Sequence, residues 1–518
     1  MLIKFPALKN LHLSDFFILF ISSVFFLVLY SSCNNNERAK PTVGEDLAKK
    51  YCSKCHAMVD PSLLDKAAWK NGVLPVMATK LGIRVYGANM YVNDGVKTNS
   101  VVSFSEWSAI VDYYETSAPE HLIAAKRPDS LIRDWSVFEL KKCAVSRNTV
   151  VYTTLAAFDS SSQSIYTGDG NTHQLTRWNS NLLPADSISL GSPPSYAYFF
   201  KDSTGKSNAV FTTLGTIKAN NISEGKVLQM NLEGKLKPPA DTIASLLPRP
   251  VQSVPADINK DGLTDWIVAG FGHDRGGLYW YEHLHDGKYK ENVIMDIPGA
   301  LQTITGDYNN DGWTDLMVLF GAADECIRLF LNDQKGGFTQ QKILSFPALY
   351  GSSSFQLADF NKDGLPDILY TCGDNNDYST ILKPYHGMYI YLNQGGNKYR
   401  QAYFYPINGC TKAIAADFDL DGDLDIATIA FYADFNNNPA EKFIYFEQDK
   451  PLHFLPHSPP LEKYGRWLCM DVKDYDHDGD PDILLGNFAP KFITEKTGSP
   501  DWDLHLPFII LENKKLHK

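Results

Sequence analysis

From about residue 145 onward the chain alternates short apolar runs with polar turns. Runs such as Ile483-Leu484-Leu485, Leu278-Tyr279-Trp280-Tyr281, Ile327-Arg328-Leu329-Phe330-Leu331 and Phe443-Ile444-Tyr445-Phe446 have the length and residue type of buried strands. One unit reads from end to end. It has strands over 355–358, 368–371, 388–392 and 399–405, and Gln394-Gly395-Gly396 turns the chain between the last two. Four antiparallel strands repeated at this length predict the blades of a β-propeller. Two weaker strand–turn–strand units, around Phe158 to Thr167 and Lys201 to Phe211, raise the expected count to seven blades, with eight the rival. The last unit stops after Pro507-Phe508-Ile509-Ile510-Leu511 without a fourth strand. The lone strand pattern Trp135-Ser136-Val137-Phe138-Glu139-Leu140 is expected to supply it, because a closed ring leaves no open sheet edge.

Ahead of these strands the periodicity is helical. Leu47, Ala48 and Tyr51 share one face, as do Trp107, Ile110 and Tyr114. Ser103 and Glu106 have the spacing of a capping box, and Pro119 ends the second helix. The expected architecture is two-domain: a small all-α unit over 44–122, a linker at 123–130 and an all-β propeller over 131–518. Lys4 and Lys9 precede an apolar run from Phe16 to Tyr30 and then Ser31-Ser32-Cys33, the order of an export signal (1–33). A cysteine at that point resembles a bacterial lipoprotein's lipid-attachment site, which would leave 34–43 as a tether. Asp15 and Tyr30 depart from that pattern, and an uncleaved membrane anchor is the alternative.

The repeated unit carries a loop of form D-x-[DN]-x-D-G-x-x-D five times, with first aspartates 50, 52, 58 and 57 residues apart. The candidate ligand sets are Asp257, Asn259, Asp261, Leu263 and Asp265; Asp307, Asn309, Asp311, Trp313 and Asp315; Asp359, Asn361, Asp363, Leu365 and Asp367; Asp417, Asp419, Asp421, Asp423 and Asp425; and Asp474, Asp476, Asp478, Asp480 and Asp482. Oxygens at positions 1, 3, 5 and 9 with a backbone carbonyl at 7 suit a hard cation, about five Ca²⁺ in all, and Gly at position 6 permits the turn. An EF-hand is excluded, since position 12 is Val268, Val318, Tyr370, Thr428 or Leu485 rather than Glu, and strands follow instead of helices. The motif and its strands, over roughly 250–515, resemble the FG-GAP or VCBS repeat family. That resemblance implies blades that bind calcium between their first two strands.

Cys52-Ser53-Lys54-Cys55-His56 is the C-x-x-C-H spacing of a c-type haem site: two thiols for the vinyl groups and an adjacent imidazole for iron. A thioredoxin-like pair would need a βαβ setting, and a zinc half-site would need a second pair nearby. The stretch with Trp69 before Val73-Leu74-Pro75-Val76-Met77 resembles cytochrome c domains, which implies Met77 as the sixth ligand; Met90 is the competitor. The other nitrogen of His56 is expected to donate to a carbonyl at or near Pro61.

The formal charge of −12 reflects largely the predicted metal ligands, and no basic stripe suggests nucleic acid. Beyond Cys33, Cys52 and Cys55, five cysteines remain: Cys143, Cys326, Cys372, Cys410 and Cys469. Cys372 and Cys410 are expected on one rim, as a disulfide or as free thiols. The expected recognition surface is the face opposite the calcium loops, built from 271–275, 322–325, 373–377 and 432–435. Its ligand would be a protein or glycan. Three functions follow. The first is an exported, membrane-anchored protein carrying one covalent haem c, passing electrons to a redox partner or membrane complex, with the propeller as docking scaffold. The others are a propeller oxidoreductase feeding the haem and a surface adhesion module. No catalytic residue is assigned.

Overall fold

The acid-rich loops each join a half-buried strand to an antiparallel one that is wholly buried, such as Asp367–Cys372 and Asp425–Ala430. Four such strands, hydrogen-bonded in chain order, make each sheet, and seven such sheets make a seven-bladed β-propeller. The computed structural model describes residues 42–93, 100–145, 149–322, 324–375, 379–490 and 501–516. Six blades are contiguous: 153–189, 194–247, 250–295, 300–345, 352–406 and 410–457. The seventh combines Trp467–Lys473, Asp482–Asn487 and Phe508–Asn513 with the early strand Phe138–Lys142, which pairs antiparallel to Phe508–Asn513 (Phe138 with Asn513, Leu140 with Leu511). The closing strand starts three residues later than its pattern suggests. Ser136 sits at φ 48° and Phe138 N–H bonds back to Trp135 O at 2.9 Å, so Trp135 belongs to a turn.

The first strand of each blade is innermost, touching its counterparts in the neighbouring blades. Glutamines there clamp one blade to the next. Gln302 receives Phe355 N–H at 3.1 Å and donates to Phe355 O at 2.9 Å, and Gln356 does the same with Ala415 at 2.7 and 3.2 Å. Between blades the core is aromatic and aliphatic. Phe138 meets Phe418 and Tyr445 edge-on, with ring centres 5.6 and 5.3 Å apart.

The helical unit begins with Val43–Cys52, capped by Thr42, and ends with Phe104–Ser117, whose Ser103–Glu106 capping box is complete. The two helices cross closely at Gly44, where an added Cβ would lie 2.2 Å from Ala109 O. Trp107, Ile110 and Tyr114 are buried on that side. Between these helices run Pro61–Leu63, a π-turn at Trp69–Val73 and the helix Leu74–Lys80. A small hairpin of Arg84–Tyr86 and Met90–Val92 makes the unit not purely α-helical.

The segment read as a linker is tied down. Arg127 pairs with buried Glu441, Asp129 O accepts from the Tyr405 hydroxyl at 3.1 Å, and Ile132 exchanges backbone bonds with Pro456 and Ser458 at 2.8 Å. Among the described residues no helix is long and apolar enough to cross a membrane. The export signal with Cys33 lies outside the described residues, as do Ala323, Asn376 and Asp377 of the predicted recognition loops.

Candidate functional site

The five acidic loops share one backbone. Position 4 (Lys260, Asn310, Lys362, Leu420, His477) and the position-6 glycine both take left-handed φ, between 58° and 102°. Two consecutive chain reversals bring positions 1, 3 and 5 together, and only a Cβ-free residue takes the second without strain. In four loops the glycine N–H donates to the first aspartate, at 3.2, 2.8, 2.8 and 3.0 Å.

The ninth-position aspartate is the buried keystone. Asp265, Asp315, Asp367, Asp425 and Asp482 are at most 1% exposed. In each, one oxygen accepts the position-2 N–H and the other accepts an N–H where the third strand ends. For Asp425 these are Phe418 at 3.1 Å and Gln448 at 2.8 Å; for Asp482, Tyr475 at 3.1 Å and Asn513 at 2.9 Å. This ties the loop to two strands at once. Burial raises all five carboxyls, and Asp425 and Asp482 reach about 7. Carboxylates packed this tightly call for a compensating charge.

Carboxylate oxygens of Asp417, Asp419 and Asp421 lie within 4.8 Å of one another, as do those of Asp474, Asp476 and Asp482. Asp257, Asp423, Asp474 and Asp480 each keep a sealed Oδ1 without a hydrogen-bond partner. Orphaned acceptors within such a turn fit a bound cation. In the three loops with Asn at position 3, its amide N–H bonds the position-5 carboxylate at 2.9–3.1 Å. The turns of the first two blades show the contrast. Asp159 is hydrogen-bonded by Ser161 and Ser162, and Asp202 by Thr204, Lys206 and Asn208, and neither turn brings further carboxylates beside it.

The residues matched to a repeat model fall on this geometry. Residues 257–318 and 307–370 match the FG-GAP-like repeat. No curated protein matches the chain. Among solved structures, the chain is similar to the Pan2 WD40 domain of Neurospora crassa (10% identity, 74% of this chain and 97% of that one, TM-score 0.46). It is also similar to a Lactobacillus plantarum protein (15%, 61% and 87%, TM-score 0.39) and to U3-55K (9%, 71% and 98%, TM-score 0.39). The blade count rests on the strand pairing, not on these overlaps.

The blades with acidic loops use a residue the motif does not contain. Asn332 and Asn513, at the ends of third strands, donate their side-chain amides to the preceding blade's loop, at Ile258 O (2.9 Å) and Phe418 O (2.7 Å). They lock neighbouring loops together. A recurring Asn after the third apolar run (Asn332, Asn393, Asn513) was the available signal.

In the helical unit, Cys52 closes the first helix and Cys55 N–H bonds Cys52 O at 3.4 Å, so both thiols sit on one turn. Both are free, as are the other five described cysteines, Cys372 and Cys410 included. His56 Nδ1 lies 2.8 Å from Ala57 O and therefore carries the proton there, leaving Nε2 open for a metal. The Pro61 carbonyl expected for that role is taken by the Trp69 indole at 2.8 Å; the Trp69 ring packs at a tilt against Tyr114, with centres 4.3 Å apart. Cys52, Met58 and Met77 border one apolar cluster, whereas Met90 is 67% exposed on the hairpin. Inside that cluster the Trp107 indole N–H is buried without an acceptor. Two free thiols, an open imidazole nitrogen, a thioether and an orphaned donor fit a c-type haem.

Loops between second and third strands emerge opposite the acidic loops, and part of that face is occupied by the helical unit. Lys80 pairs with Asp274 at 2.6 Å, the Tyr385 hydroxyl donates to Leu63 O at 3.2 Å, and Ala348, Leu349 and Ile381 pack against the helical cluster. Asp274 also accepts from Asn221 of the preceding blade at 2.9 Å, which holds its carboxylate toward Lys80.

Proposed function

We propose that the chain is an exported, membrane-anchored c-type haem protein that transfers electrons, with a calcium-braced propeller as its docking and recognition scaffold. The observation that carries this reading is the Cys52–His56 turn, closing a helix onto the same apolar cluster that Met77 borders. Cys52 and Cys55 would hold the porphyrin covalently, and His56 and Met77 would ligate its iron. A haem so ligated supplies a one-electron couple of raised potential. Cys52 borders the apolar cluster while Cys55 is exposed, and Ala57 O fixes the His56 tautomer. Cys33, through a lipid, would tether the molecule to a membrane facing the periplasm or cell surface. A redox protein or membrane complex would be the partner.

A potentiometric titration of the purified protein tests the reading. One reversible one-electron wave is expected, and a protein without visible absorbance or a wave would reject it. For the scaffold, stripping calcium with excess EGTA is expected to lower the melting temperature by about 5–10 °C, since an ion bound only to the folded state stabilises it by mass action. Restoring Ca²⁺, but not Na⁺, should recover the loss. An unchanged melt, with metal analysis showing no calcium before or after, would leave the loops as plain acidic turns.

A further inference from the structure

Between the third and fourth blades, at the rim that carries the acidic loops, a cavity of about 110 Å³ opens to solvent. Each wall is a cross-strand pair of one aromatic and one amide side chain. Trp280 stands beside Asn292 on the third blade and Phe330 beside Gln340 on the fourth, with Phe338 edge-on to Phe330 at 6.4 Å. Ile390 and Tyr403 hold the positions of Trp280 and Asn292 between the fifth and sixth blades. There the Tyr403 ring packs edge-on against Phe454, with centres 5.0 Å apart, and fills the seam. The shorter Asn292 leaves the corresponding space open.

The walls are fixed from behind. The Trp280 indole donates to buried Asp265 at 2.9 Å, and Gln334, on the turn leading to Phe338, donates to Asp311 at 3.1 Å. Charged neighbours decide which end of each amide is spent. Asn292 donates its amide N–H to Glu282 at 3.2 Å, and Glu282 is itself paired with Lys290 at 2.9 Å. Gln340 accepts from Arg328 at 3.1 Å, and Arg328 is paired with Asp324 at 2.6 Å. Among the described residues this leaves Asn292 Oδ1 as an unspent acceptor and Gln340 Nε2 as an unspent donor on opposite walls of one cavity.

We infer that this cavity binds the acetamido group of an N-acetylated amino sugar. A secondary amide offers one N–H and one C=O, the complement of that acceptor and donor, and its methyl group suits walls of Trp280, Phe330 and Phe338. The volume admits about three or four water-sized groups, enough for the substituent but not for a sugar ring. The ring stays outside, where Glu282, Lys290 and Arg328 offer partners for its hydroxyls. A cavity this small has no slot for the aliphatic stem of an acetylated lysine, another source of the same group. The site lies on the rim away from the helical unit, and it is independent of haem.

The test is saturation-transfer NMR and titration of the full-length protein, calcium in excess, with the methyl glycoside of N-acetylglucosamine. Saturation should pass most strongly to the acetyl methyl protons, and the methyl glycoside of glucose should bind at least about tenfold more weakly. Gln340→Glu keeps the contact with Arg328 and removes the donor, and should weaken binding by about three- to tenfold. Asn292→Tyr, which copies Tyr403, should fill the cavity and abolish binding while leaving the melting temperature unchanged. Absence of transfer to the acetyl group, equal affinity for the two glycosides, or unimpaired binding by Asn292→Tyr would overturn the inference. So would an Nε-acetyllysine peptide that bound more tightly than the glycoside, because the cavity would then read a protein.

Discussion

Colour should survive acid–acetone extraction of the wild-type protein made in a host able to mature c-type cytochromes, and the Cys52→Ala, Cys55→Ala double variant should emerge colourless. The expectation follows from geometry. Both thiols sit on the turn that ends Val43–Cys52, and the first is partly drawn into the apolar cluster, where burial and the neighbouring Cys55 raise its pKa. A porphyrin held by two thioethers resists extraction, and one held by imidazole alone does not. Met77→Ala gives the graded counterpart: haem retained, with the midpoint potential lowered as the thioether is lost. Colourless wild-type protein whose Cys52 and Cys55 thiols are both freely alkylated would end the electron-transfer reading and leave the propeller as a recognition module.

Phe138→Ala should cost about 3–5 kcal/mol, a large share of a typical folding free energy. Phe138 is 4% exposed, and its ring meets Phe418 and Tyr445 across the last interblade seam. It also sits on the one strand that joins the two ends of the ring, so the vacated space lies at the closure rather than within a continuous blade. Glu139→Gln on the same strand, exposed and paired only with surface lysines, should change stability by no more than about 0.5 kcal/mol. Comparable losses from both variants in chemical unfolding would show that pairing alone, and not the aromatic seam, closes the ring.

Much of this was legible before folding. The 355–358, 368–371, 388–392 and 399–405 pattern lies within the observed strands Ser352–Ala358, Asp367–Cys372, Gly387–Asn393 and Tyr399–Pro406. Buried strands advertise themselves through side-chain type, and the D-x-[DN]-x-D-G-x-x-D spacing dictates its own turn. The capping box at Ser103 was equally plain, since both of its bonds are local.

Contacts between distant residues were not legible. No local pattern places Lys80 against Asp274 or Leu63 against Tyr385, so the seating of the helical unit on the predicted recognition face emerged only when the ring closed. The tying of 127–133 to the propeller and the interblade bonds of Asn332 and Asn513 belong to the same class. Repeat, turn chemistry and the thiol–imidazole spacing are properties of neighbouring residues, written where the chain is read. The choice of seven blades over eight and the occupied part of the axial face depend on which surfaces meet after some hundreds of intervening residues. Burial and excluded volume, acting on the whole molecule, decide those.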